Sequence, residues 1–130
     1  MKHKFLIPIF ICLCVLLISP IHIAQSDTAI KTEYNKTEIQ YLIKKNATKY
    51  RVSEQLMNHI VARESSYNQY AYNPNDGRKG CDSRGLIQLN DCYMGKNIPE
   101  KLTYHPPYAI EKLAYELSKG QCKQWSTCPL

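Results

Sequence analysis

The sequence predicts one small, mainly helical domain with a short β-hairpin, supported by disulfides. Three observations predict it. Apolar residues recur at helical spacing in three separate stretches, a single turn-dense segment interrupts them, and four cysteines remain once the apolar N-terminus is set aside.

That N-terminus has the layout of a secretory signal peptide over residues 1–24. Lys2 and Lys4 precede the apolar run Phe5 to Ile18, Ser19-Pro20 breaks the run, and the small residue Ala24 follows. Pro8 and Pro20 bound a stretch shorter than the roughly 18 apolar residues a membrane span requires. Cys12 and Cys14 lie inside it and are expected to leave with it. Cleavage after Ala24 would leave 106 of the 130 residues, one domain with a modest core. An exported chain with Cys81, Cys92, Cys122 and Cys128 is expected to form two disulfides, with three pairings open. The chain holds no Cys-x-x-Cys or His-x-x-x-His pattern, so a structural metal is not expected.

The formal charge is +6, and without Lys2 and Lys4 the 17 basic residues become 15 against 11 acidic ones, a net of +4. The basic residues are scattered, which suits a solvated surface or weak attraction to an anionic polymer. For an exported protein, cell wall is a better candidate than nucleic acid.

Residues 25–36 form a polar lead-in without apolar periodicity, expected to be loosely ordered. The domain is expected over 37–130. From Thr37 onward, Ile39, Leu42, Ile43 and Ala47 share a helical face. Ser53 is a good N-cap for a second helix, with Glu54 and Gln55 in its first turn and Leu56, Met57, Ile60 and Val61 as its apolar stripe. Asn73 to Gly80 is dense in turn formers and predicts a loop or hairpin tip, with the short apolar stretch Gly85 to Leu89 behind it. Pro106 and Pro107 start a last helix whose buried face is Ile110, Leu113, Ala114 and Leu117, and Gly120 ends it.

Glu64 stands out in this pattern. Helical steps back from it reach Ile60 and Leu56, which puts a carboxyl group on the stripe the helix buries. It also lies near the helix C-terminus, where the negative end of the dipole and an apolar wall both disfavour the ionised form. A carboxylic acid that keeps its proton is what protonation of a glycosidic oxygen requires. Periodicity alone favours an ordinary half-buried glutamate paired with Arg63 or Arg84.

The string Arg63-Glu-Ser-Ser-Tyr-Asn68, then Ala71, Asn73 and Pro74, then Ser83-Arg-Gly-Leu-Ile-Gln-Leu-Asn90 resembles the lytic transglycosylase SLT domain and, more distantly, lysozymes. The resemblance spans roughly Thr48 to Gly120 and implies an α+β lysozyme-like fold. It also implies cleavage of peptidoglycan between N-acetylmuramic acid and N-acetylglucosamine, without a cofactor. Position by position, Glu64 matches the catalytic acid/base, Ser65 the serine beside it, and Gln88 the glutamine lining the sugar groove. Tyr67, Ser83 and Asn90 are further substrate-binding candidates. Gln88 reads equally well as support for the hairpin.

A retaining hydrolase needs a second carboxylate about 5 to 5.5 Å from the acid. Asp82 is the candidate by proximity, yet the position that carries this carboxylate in lysozymes sharing the Gly-x-x-Gln-x-Asn segment is Ser83 here. Strand alternation turns Asp82 to the other face unless a bulge re-aims it, and Asp76 and Asp91 read as turn or cap residues. The single-carboxylate transglycosylase, which yields a 1,6-anhydro product, is therefore the expected enzyme. A lysozyme-type hydrolase and a non-catalytic glycan-binding module are the rivals.

The Tyr-Asn-x-Gly segment usual near the end of longer SLT domains has no counterpart in this sequence. The tail Gln121 to Cys128 is a candidate to rebuild that part of the groove, with Trp125 either a sugar-stacking platform or a plug. The expected partners are peptidoglycan strands and, for a wall-opening enzyme, a secretion or conjugation apparatus. The protein is expected to act as a monomer outside the cytoplasm.

Overall fold

The computed structural model describes residues 31–129, so the signal-peptide reading, Cys12, Cys14 and the lead-in before Lys31 lie outside the described residues. The elements run α1 (Lys36–Tyr50), α2 (Glu54–Ser65), β1 (Tyr72–Asn73), β2 (Ser83–Arg84), β3 (Leu89–Asn90), α3 (Glu100–Thr103) and α4 (Pro106–Ser118), followed by a single 3₁₀ turn, Cys122–Gln124. A small α+β domain is thus the fold. Among the described residues no helix is long and apolar enough to cross a membrane.

Each long helix begins where its capping chemistry allows. Asn35 caps α1 in a full capping box: its side chain accepts from the Glu38 amide at 3.0 Å, and the Glu38 carboxylate accepts from the Asn35 amide at 3.0 Å. Ser53 accepts from the Leu56 amide at 3.1 Å and starts α2. Pro106 and Pro107 open α4, where a missing N–H costs nothing.

The lead-in differs from expectation at its inner end. Buried Gln69 accepts from the Tyr34 amide at 2.8 Å and donates to the Thr32 carbonyl at 2.9 Å, which ties this stretch to the loop after α2. Helix α1 then begins at Lys36, one residue before the expected start. A buried amide side chain must find partners, and the backbone of 32–34 supplies them.

The core joins Ile39, Ile43 and Ala47 of α1 to Met57, Ile60 and Val61 of α2 and to Ala109, Ile110, Leu113 and Ala114 of α4. Helix α1 packs against both α2 and α4. Leu86, Ile87 and Leu89 extend this core into the connection between β2 and β3. Leu42, Leu56 and Leu117 are half-buried at its margin.

The strands form an antiparallel sheet in the order β1-β2-β3, a third strand beyond the expected hairpin. Asn73 and Asn90 both stand opposite Ser83, while Tyr72 stands opposite Arg84. Cys81 pairs with Cys92 and Cys122 with Cys128. The first bridge closes an 11-residue separation around β2 and β3, which chain entropy rates at about 3 kcal/mol, and the second staples the tail.

On one face of the sheet an ionic cluster forms. Arg84 donates to Asp82 at 3.0 Å and to Asp91 at 2.8 Å, and Asp82 also accepts from the Asn75 amide and the Tyr72 hydroxyl. The Asn75 amide, ahead of that hydroxyl, holds the Asp82 carboxyl below its usual value of 3.8, and the Arg84 guanidinium does the same for Asp91. Carboxyls depressed by folding stabilise the fold above their unfolded value and lose that contribution as pH falls through the folded one. Stability to urea is therefore expected to decline below pH 3.8, and the double variant Asp82→Asn/Asp91→Asn, measured over the same interval, should decline less steeply.

Candidate active site

Helix α2 delivers Glu64 to a cleft of about 530 Å³ whose other walls come from the sheet, its loops and the C-terminal tail. The helix stops immediately after it. Ser66 and Tyr67 take positive φ of 54° and 64°, a left-handed pair that turns the chain away and leaves the carboxyl at the helix end. Glu64 is half-buried, and neither arginine weighed as its partner engages it in an ion pair: Arg84 is committed to Asp82 and Asp91.

The sheet supplies the opposite wall. Ser83, Gln88 and Asn90 line the same cleft as Glu64, so three of the sequence-derived binding candidates come together there. Their polar atoms form a chain: Asn90 Nδ2 donates to Ser83 Oγ at 3.2 Å, and Ser83 Oγ donates to Asp76 Oδ2 at 2.6 Å. Asn90 also donates to the Asp76 carbonyl and accepts from the Cys92 amide, which locks its orientation beside the Cys81–Cys92 bridge. Gln88 sits at φ 48° and its Nε2 donates to the Gly85 carbonyl at 3.0 Å, so it holds the β2–β3 turn while lining the cleft.

Two candidates stay outside the cleft wall. Ser65 Oγ turns back to the Val61 carbonyl at 3.1 Å within the helix. Tyr67 packs against the core, with its hydroxyl donating to Asn58 Oδ1 at 3.0 Å and Lys36 over its ring. The hydroxyl of each is satisfied locally.

Asp82 is not the second carboxylate of the cleft. It lies on the other face of the strand with Arg84 and Tyr72, as side-chain alternation dictates. The carboxylate that shares the cleft with Glu64 is Asp76, from the turn-rich loop. Cys81, Cys92 and Asp91 place potential ligand atoms within 4.8 Å of one another, but both sulfurs are in the disulfide and Asp91 accepts from Arg84, so this cluster is structural.

The tail completes the cleft. Gln124, Trp125 and Ser126 line it, and Thr127 Oγ1 donates to Glu64 Oε1 at 2.6 Å. Trp125 is only 3% exposed and its indole N–H donates to the Ile87 carbonyl at 2.8 Å, so it is a plug that pins the tail to the core. Tyr93, 64% exposed, and Met94 also line the cleft. Sequence reading took Asp76 for a turn or cap residue and did not single out Tyr93 or Thr127, since none of the three is among the residues that make up the helix-to-hairpin motif.

The transglycosylase SLT domain family model matches residues 41–119, from α1 through the end of α4. No curated protein and no solved structure matches. With more than half of the sequence covered, and the helix, sheet and cleft all within or beside the matched span, the chain belongs to the transglycosylase SLT domain family, whose members act on peptidoglycan.

Proposed function

We propose that this protein is an exported lytic transglycosylase that cleaves between N-acetylmuramic acid and N-acetylglucosamine, with Glu64 as general acid and then general base. The observation that carries the reading is the position of Glu64: at the end of α2, half-buried, facing Ser83, Gln88 and Asn90 across one cleft in an SLT-family chain. A carboxylic acid there donates its proton to the glycosidic oxygen as the C–O bond breaks. The resulting carboxylate takes the proton of the muramic acid 6-hydroxyl, whose oxygen closes onto the anomeric carbon. Water is not consumed, and the product is a 1,6-anhydro sugar. The disulfides suit export, and the signal-peptide reading of residues 1–24 belongs to this proposal.

One observation favours a hydrolytic reading instead: Asp76 lines the cleft with Glu64. Its carboxylate already accepts from Ser83, which supports a binding or positioning role over nucleophilic attack. Mass spectrometry of the fragments released from purified peptidoglycan separates the readings. Anhydro-muropeptides, lighter by one water than reducing-end fragments, are expected from the wild-type protein and from Asp76→Asn. Reducing-end fragments that vanish in Asp76→Asn would make the protein a two-carboxylate hydrolase, and glycan binding without release would make it a binding module.

A further inference from the structure

We infer that Thr127 is a positioning residue for the acid, held in place by the Cys122–Cys128 loop. The inference rests on the reading of Glu64 as the acid/base. Four observations on the tail converge. The Thr127 hydroxyl donates to Glu64 Oε1 at 2.6 Å across 63 residues of sequence, the only side-chain hydrogen bond to Glu64 among the described residues. Trp125, two residues earlier, is buried and bonded through its indole N–H to the Ile87 carbonyl. Cys128, one residue later, is bridged to Cys122 at the foot of α4. Gln124, Trp125 and Ser126 line the same cleft as Glu64.

These constraints leave Thr127 little choice of place, because it is fixed by a buried anchor on one side and a covalent one on the other. A short, preordered hydroxyl bonded to one carboxyl oxygen does two things. It selects the carboxyl rotamer, and it assigns Oε1 to the tail so that Oε2 is the oxygen left to give up and retake the proton. It also stabilises the carboxylate that forms when the proton leaves, at the moment the barrier is crossed. The tail therefore acts on the chemistry of a residue at the end of α2 without needing to touch the sugar.

Initial rates on soluble, uncrosslinked glycan strands test this with Thr127→Val, which keeps the shape and removes the donor, and Thr127→Ser, which keeps the donor. Thr127→Val is expected to lower kcat about 10- to 100-fold with KM within about twofold and an unchanged melting temperature, and Thr127→Ser to stay near wild type. The double variant Cys122→Ser/Cys128→Ser is expected to lose kcat to a similar degree, with little further loss when Thr127→Val is added, since both remove the same contact. Undiminished kcat in Thr127→Val, or an equal loss in Thr127→Ser, would overturn the positioning role. Full kcat in the cysteine double variant would overturn the part assigned to the loop. Glu64→Gln run alongside keeps the two readings apart: if it cleaves at the wild-type rate the acid assignment itself fails, whereas a dead Glu64→Gln beside a fully active Thr127→Val sinks only the positioning role.

Discussion

Glu64→Gln is expected to abolish turnover, with the rate of glycan release down about a thousandfold or more, while the fold is unchanged. The expectation follows from what the substitution leaves alone. Glutamine has the same length and shape and keeps an oxygen at Oε1, so the Thr127 hydroxyl retains its acceptor and the tail its anchor. The side chain is half-buried and makes no ion pair among the described residues, so loss of its charge removes no structural partner. What disappears is a proton that can be given and taken back, which an amide cannot supply. Thermal unfolding followed beside the activity assay is expected to show a melting temperature within about 2–3 °C of wild type, the range of a substitution that breaks no packing. A variant that kept more than about a tenth of the wild-type rate would place the acid elsewhere, and Asp76 would be the next carboxyl to replace.

How far this site was legible in the sequence depends on the distance over which each part is specified. Ser53 and the proline pair 106–107 start helices where local chemistry says they should, because capping and proline stereochemistry need no tertiary partner. Glu64, Ser83, Gln88 and Asn90 were singled out by the resemblance to the SLT domain, whose motif joins a helix end to a hairpin, and the fold sets all four around one cleft. The Asn35-x-x-Glu38 capping box was present as a signal and went unread, which set the start of α1 one residue late. Strands of two residues are too short to show alternation, so β1 and β3 could not be separated from turns. Asp76 looked like a turn residue because it is one. Only the register that sets Asn90 against Ser83 brings it to the cleft. Thr127 lies farthest from any local signal, since its bond to Glu64 depends on the whole course of α4 and the tail.

Gly85→Ala is expected to cost about 3–5 kcal/mol, a large share of the roughly 5–15 kcal/mol that holds a small domain together. Gly85 sits at φ +77°, where a Cβ is disfavoured in any surroundings, and here the surroundings are closed: the added atom would lie 1.9 Å from the Thr103 carbonyl oxygen and 2.9 Å from its carbon. Both are backbone atoms of α3, so no side chain can swing away to make room. Relief requires moving α3 or the β2–β3 turn, and the turn carries Gln88 while its amide end is tied to the Ala71 carbonyl at 2.8 Å. Gly120→Ala separates the two contributions. Gly120 has nearly the same φ, +75°, but nothing within 4 Å of its would-be Cβ, so that variant should pay only the conformational cost of about 1 kcal/mol. In urea titrations the difference between the two midpoints then measures the clash with α3 alone. Equal losses at both sites would mean that α3 yields freely, and that its close approach to Gly85 does not hold the sheet against the helices.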